Sequence, residues 1–222
     1  MEKHFLLTVF ENLYVAFGPQ NWWPSESDFE TVIGAILTQS VSWSNVEKAI
    51  DNLKKENLLS PQSLSKIDDE RLHALIRSTR FYKQKGERLK NFCRYLVENY
   101  EGNIYKLFDK DIFELRRELL SLKGLGKETV DSIILYAAKK PIFVVDAYTK
   151  RIFSRLGVVD ENLDYQALQE IFMQNLPHDT SLFNEYHALI VKLGKDVCKT
   201  KPKCEICPLN NFCKYYISKN KF

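Results

Sequence analysis

Four of the five cysteines in this chain, Cys198, Cys204, Cys207 and Cys213, lie within sixteen residues as C-x5-C-x2-C-x5-C. Four thiolates this close, with no histidine between them, suit a soft metal centre: a [4Fe–4S] cluster, or alternatively a four-thiolate zinc site. Structural zinc usually shows two C-x2-C knuckles, and here there is one; the wider five-residue arms favour the larger cubane. The opening residues Met1-Glu2-Lys3-His4-Phe5 carry early charge and read as the start of a helix, not as a signal peptide, so a disulfide framework is not expected. Cys93, in Phe92-Cys93-Arg94-Tyr95-Leu96, reads as a small core residue. Lys199, Lys201 and Lys203 fall inside the first cysteine arm, where a bound metal would fix them as a basic loop for phosphate contact.

A second constellation is Leu122-Lys123-Gly124-Leu125-Gly126-Lys127-Glu128-Thr129, two glycines around one apolar residue between two helical patterns. Glycine permits positive φ and removes side chains, so a phosphate could approach the backbone N–H groups of the next helix, flanked by Lys123 and Lys127. Such contact ignores base identity and is sensitive to salt. The segment is not a P-loop: Ser121 stands where its first glycine belongs and Glu128 where Ser or Thr belongs. Taken alone, it also fits an ordinary turn between helices.

Helical periodicity must position these groups, and it runs through almost the whole chain with no strand alternation, which predicts an all-α fold. Helices are expected over 2–17 (ended by Gly18-Pro19), from a Ser25 cap through the apolar run Val32–Leu37, from Ser42 or Ser44 to about Glu56, from Asp68 to Ser78, over 83–98 and over 111–121. Ser60-Pro61 reads as a short turn. Further helices are expected from Thr129 to Ala138, from Ala147 to Leu156 with Asp146 at the N-cap, and over 165–175 and 181–194. Hydrophobic residues make up 45% and charged residues 27% of the 26.0 kDa chain, which excludes a disordered or fibrous protein, and no apolar run reaches the ~20 residues of a membrane span. The net charge of +3 is unevenly placed: from Lys192 onward eight lysines stand against Asp196 and Glu205, so that segment is +6 and the rest −3. A basic end on a near-neutral body suits a polyanion partner, or a solvated lysine-rich tail.

Together, the hairpin at 122–129, an aspartate twenty residues after Gly126 and the C-terminal four-cysteine loop resemble the endonuclease III superfamily of DNA glycosylases, from about residue 25 to 213. Ala35-Ile36-Leu37-Thr38-Gln39-Ser40 is similar to that family's early helix, whose glutamine enters the duplex. The bifunctional members carry a lysine two residues after the second hairpin glycine. That position is Glu128 here, and a carboxylate cannot form an imine; the neighbouring Lys127 is turned about 100° away on a helix. Trp22-Trp23-Pro24, Trp43, Phe81-Tyr82-x-Gln84-Lys85 and the hairpin resemble the bacterial 3-methyladenine DNA glycosylases of the superfamily, although some members of that group lack the cysteine cluster present here.

The resemblance implies two helical domains flanking a DNA-binding cleft: a helical barrel over 21–133 with the helix-hairpin-helix (116–138), and a discontinuous domain, 1–20 plus 134–222, with the cluster loop (198–213). It implies a monofunctional glycosylase of base excision repair, acting as a cytoplasmic, nucleoid-associated monomer on double-stranded DNA with a damaged base and not at a membrane. Asp146 is the expected catalytic carboxylate, stabilising an oxocarbenium-like sugar and orienting or deprotonating water. Trp22, Trp23, Trp43, Glu128 and Tyr148 are expected around the flipped base, with Tyr136 a further aromatic near them. Electron-rich indoles favour a cationic N3-alkylated adenine; the competing reading, core packing, weighs more for Trp22 than for Trp23 and Trp43. Gln39, Phe81, Tyr82, Lys123, Gly124, Leu125, Gly126, Lys127 and Thr129 are expected at the DNA, with Gln39 and Phe81 or Tyr82 filling the gap left by the extruded nucleotide. Two alternatives stand: an endonuclease III-like glycosylase and lyase for oxidised or mismatched pyrimidines, and a non-catalytic iron–sulfur DNA-binding protein. His187 reads as a satisfied core histidine.

Overall fold

The computed structural model describes residues 3–219; residue 2, expected in the first helix, lies outside them. All regular structure among the described residues is helical, as the periodicity predicts: α1 (Lys3–Phe17), α2 (Asp28–Leu37), α3 (Trp43–Lys55), α4 (Pro61–Lys66), α5 (Asp69–Leu75), α6 (Tyr82–Tyr100), α7 (Ile104–Phe108), α8 (Ile112–Ser121), α9 (Lys127–Ser132), α10 (Ala147–Leu156), α11 (Tyr165–Asn175), α12 (Thr180–Asp196) and α13 (Lys214–Lys219). No described helix is long and apolar enough to cross a membrane.

Short polar side chains start most of these helices. Ser60, Asp68, Asn103, Asp111, Asp164 and Asp179 each accept a backbone N–H of the first turn, satisfying a donor that would otherwise lack a partner. Three readings need correction. The cap of α2 is Ser27, which accepts from the Glu30 amide, while the hydroxyl of Ser25 pairs with Thr31 instead. Ser60-Pro61 is not a lone turn but the N-cap and first residue of α4. The helix after the hairpin begins at Lys127, and Ile133–Ala137 continues it as a fully buried π turn.

The chain divides into two compact units. The central one, Trp23–Lys140, contains α2 to α9. Its centre is α2, buried on every face from Glu30 to Leu37 and packed against α3, α6, α9 and the π turn. Cys93 is fully buried on α6, as a core residue should be. The second unit takes the flanking segments, with α1 and α10 to α13. Its core is aromatic: Phe143 stacks on Phe172 with centroids 4.0 Å apart, and Phe153, Phe183 and Tyr186 surround the pair edge-on. The buried Tyr186 hydroxyl donates to the Leu6 carbonyl of α1 at 2.8 Å.

Candidate functional site

In the central unit, half-buried Trp23 and Trp43 meet edge to face at 5.1 Å, and Trp23 lies 5.1 Å from the fully buried ring of Tyr136 in the π turn. Gly34 of α2 makes room for them: a Cβ there would lie 3.1 Å from Nε1 of Trp23 and 3.4 Å from Cη2 of Trp43. The indole N–H of Trp43 is buried with no acceptor among the described residues, which costs about 1–3 kcal/mol. Of the five residues expected around a base, the structure brings Trp23 and Trp43 together and adds Tyr136.

The hairpin joins α8 to α9 through exposed Lys123, Gly124, Gly126, Lys127 and Glu128, with Leu125 buried beneath. The two glycines serve different ends. Gly124 sits at φ +94, a region that suits glycine, with the Arg88 side chain against it. Gly126, contrary to expectation, is extended at φ −89; it caps α9, and a side chain there would meet open space, so its contribution is clearance before the helix terminus. The two helices are clamped by Arg116, which donates from Nε and Nη2 to both carboxylate oxygens of fully buried Asp131 at 2.7 and 3.0 Å. Lys123 reaches Glu87 at 3.2 Å on the surface. Glu128 stands exposed on the first turn of α9.

Gln39 does not project freely from the loop after α2. Its amide N–H donates to the hydroxyl of buried Thr129, and its carbonyl accepts from Arg88 Nη1 at 3.0 Å. Phe81 is 63% exposed and strained at φ +44, whereas Tyr82 packs edge-on against His73. Of the two wedge candidates, only Phe81 protrudes.

In the second unit, Asp146 caps α10. Its Oδ1 accepts from the Thr149 amide at 2.7 Å and hydroxyl at 2.8 Å, and the Thr149 hydroxyl accepts in turn from the Asp146 amide, a reciprocal capping box. The other oxygen lies 3.7 Å from Nε2 of His187 on α12, and the two side chains are 12% and 7% exposed. Burial works to raise the Asp146 carboxyl, but His187 and the Thr149 bonds outweigh it and hold the pKa below the ordinary carboxylate value. Trp22 meets His187 edge-on at 6.1 Å. The structure thus groups Trp22 with His187 and Asp146. It makes His187 a partner of the carboxylate, a role its apolar helix face did not signal. Tyr148 is tightly packed on Gly194 of α12, where a Cβ would lie 2.4 Å from its ring, and the Arg151 guanidinium covers the ring at 5.1 Å.

Cys198, Cys204, Cys207 and Cys213 line one cavity with Val197, Pro202 and Tyr216, and Arg155 and Lys203 also border it. Burial first, and then the neighbouring sulfurs, push the thiols of Cys204 and Cys207 up, the latter to about 11. Among the described residues no group of three or more His, Cys, Asp or Glu side chains is arranged to hold a single metal ion. Four cysteine sulfurs around one cavity are a donor set suited to a thiolate-bound metal or metal–sulfur group. Two arginines of α10 brace the loop. Arg155 donates to the carbonyls of Lys199 at 2.6 Å and Thr200 at 3.1 Å and to the sulfur of Cys198 at 3.3 Å; Arg151 donates to the Cys198 carbonyl at 2.9 Å. Lys199, Lys201 and Lys203 are exposed on it.

Residues 33–178 match the family of HhH-GPD superfamily base excision DNA repair proteins. Residues 200–213, which include three of the four cysteines, match the iron–sulfur binding domain of endonuclease III. A Methanocaldococcus jannaschii protein assigned as a DNA repair glycosylase is 51% identical over 92% of this chain and 94% of its own. Endonuclease III of Thermotoga maritima is 34% identical over 87% and 85%. Among solved structures, a trapped endonuclease III–DNA covalent intermediate shares the fold at TM-score 0.84 and 22% identity, over 99% of both chains. The H. pylori 3-methyladenine DNA glycosylase bound to 1,N6-ethenoadenine aligns at TM-score 0.76 and 25% identity, over 88% of this chain and 98% of its own. The chain belongs to the HhH-GPD superfamily of base excision DNA repair proteins.

Proposed function

We propose that this protein is a monofunctional DNA N-glycosylase that excises alkylated purines such as 3-methyladenine from duplex DNA. The observation that carries the reading is Glu128, exposed on the first turn of α9 where the superfamily's lyases place their attacking lysine. Without an amine there, cleavage of the glycosidic bond falls to water. Asp146 is the catalytic carboxylate: held ionised by His187 and Thr149, it stabilises the positive charge that develops on the sugar and orients the attacking water or takes its proton. An alkylated purine leaves readily, so no strong general acid is needed.

Trp23 and Trp43 suit an electron-poor base, since indole faces attract a cation more strongly than a neutral ring. The buried, unpaired N–H of Trp43 suits an acceptor atom on that base. Trp22 lies beside His187, the partner of the carboxylate. The exposed backbone from Lys123 to Lys127 contacts phosphate, and Gln39 and Phe81 enter the duplex when the nucleotide leaves it. The four cysteines hold a [4Fe–4S] cluster, whose contribution when bound is structural: it fixes the fold of a lysine-bearing loop for phosphate contact. The 1,N6-ethenoadenine bound by the H. pylori relative is a modified adenine, in keeping with the proposed substrate class.

Base release from methylated duplex DNA, run beside borohydride trapping, tests the reading. Release of 3-methyladenine with no trapped adduct is expected. Release of oxidised pyrimidines instead, or a covalent adduct, would move the protein to the lyase branch; tight lesion binding with no release would leave a damage-binding protein.

A further inference from the structure

Two exposed loop tips of the central unit are bent into conformations that side chains seldom adopt. Ser40 sits at φ +57 in the loop after α2, and Arg80 and Phe81 sit at φ +53 and +44 just before α6. Such residues are strained and persist only where their surroundings fix them. Both tips are tied to one buried side chain. Lys85, on the first turn of α6, is 2% exposed, and its ammonium donates to three backbone carbonyls: Leu37 at 2.7 Å, Gln39 at 2.9 Å and Thr79. Leu37 closes α2, so its carbonyl lacks an intrahelical partner. Gln39 is the residue of the first tip, and Thr79 ends the turn that leads into Arg80 and Phe81. Three donors meet three acceptors, which saturates an ammonium. Arg88, one turn further along α6, holds the Gln39 side chain, so a single helix grips both the backbone and the amide of that residue.

We propose that Lys85 is a positioning residue for entry into the duplex, locking the Gln39 loop and the Phe81 turn together so that both tips meet the DNA as one rigid body. The proposal rests on the reading of Gln39 and Phe81 as duplex-entering residues. A lysine suits the task because a compact point charge can serve three convergent carbonyls, whereas a planar guanidinium cannot. Its charge state gives a handle. Burial, with a smaller push from Arg88, brings the Lys85 pKa down to about 8. Arg88 is the one charged group acting on it among the described residues; from α2, the Gln39 loop and the Thr79 turn it meets backbone carbonyls. A neutral amine keeps only two N–H donors, so above that pH one carbonyl loses its partner and the tie loosens.

The test is the fluorescence of 2-aminopurine placed opposite a stable abasic-site analogue, with the full-length protein. At pH 7 the wild type should brighten the orphan base as the tips enter. Lys85→Met, of similar length but without donors, should weaken this response about tenfold. Its binding to undamaged duplex should be unchanged, because the hairpin and the cysteine loop are untouched. Gln39→Ala should weaken the response too, and the double variant should lose no more than Lys85→Met alone, since the Gln39 tip is already released once Lys85 is gone. A folded Lys85→Met protein with the wild-type response overturns the proposal. Should that variant not fold, the wild type decides: a response lost with a midpoint near pH 8 at constant helix content supports the tie, and a flat response to pH 9.5 overturns it. A wild type that never brightens the probe refutes the entry of Gln39 and Phe81 itself, and the proposal with it.

Discussion

Replacing Asp146 by asparagine separates the cap that the carboxylate forms from the catalytic role proposed for it. As the N-cap of α10 it accepts from the amide and hydroxyl of Thr149 at 2.7 and 2.8 Å. Asparagine caps about as well as aspartate, so the loss of stability from the cap should be small; even full removal of a cap costs about 1 kcal/mol, or roughly 2–4 °C in Tm for a chain of this size. The charge is another matter. The folded carboxyl titrates below its unfolded value, so its stabilising contribution is complete above about pH 4 and is lost as pH falls through the folded pKa. At neutral pH the carboxylate is therefore ionised, and its removal takes away a fixed charge, not a proton donor. Loss of one preorganised group aimed at developing charge, or of a general base, lowers rates by about 10²–10⁴. Asp146→Asn should show that fall in single-turnover excision with enzyme in excess over methylated duplex, while duplex binding persists and Tm moves by no more than a few degrees. Excision within about threefold of wild type would refute the catalytic assignment and leave Asp146 a helix cap.

Other perturbations read different parts of the site. Gly34→Ala presses on Trp23 and Trp43 at 3.1–3.4 Å and should cost about 1–3 kcal/mol in overpacking, with a larger proportional loss in binding of a lesion duplex than of undamaged DNA; equal losses would make the indole pair ordinary core. Wild-type protein incubated with abasic-site DNA and borohydride should give no covalent band on a denaturing gel, and Glu128→Lys should gain one if α9 presents that position as the superfamily's lyases do. Cys207→Ser should lose bound iron, measured by elemental analysis, together with the visible colour of the protein and much of its affinity for undamaged duplex. Full iron content in that variant would remove Cys207 from the ligand set.

The fold was legible where local chemistry decides it. Asp or Ser before an apolar repeat marks a helix start to within a residue or two, as at Asp68 and Asp146. Where two candidate caps lie close, the wrong one is easily chosen: Ser25 and Ser27 both follow Pro24, and only the packing that draws Ser25 to Thr31 frees Ser27 to bond Glu30. Short helices hide for another reason. Ile104–Phe108 is five residues, too few for a 3.6-residue period to emerge. The π turn at Ile133–Ala137 is invisible because its residues are apolar on every side, so no stripe reports the change of register.

The site shows the same boundary between what neighbours in sequence decide and what only the fold decides. The four cysteines and the glycine hairpin announce themselves by spacing, but the groups that aim them do not. His187 lies 41 positions after Asp146, on a helix face that is otherwise apolar, and a histidine there fits a core residue as well as a partner for a carboxylate; only the 3.7 Å approach decides between them. The place of Gln39 at the duplex comes from the resemblance of Ala35–Ser40 to the family's early helix, and nothing in the sequence tells where its amide rests. The amide is docked on Thr129 and Arg88, residues 90 and 49 positions away. Entry into a duplex must then exchange those bonds for new ones or carry them along. On the proposed reading, the three bonds of buried Lys85 hold the backbone of that loop while the amide changes partners.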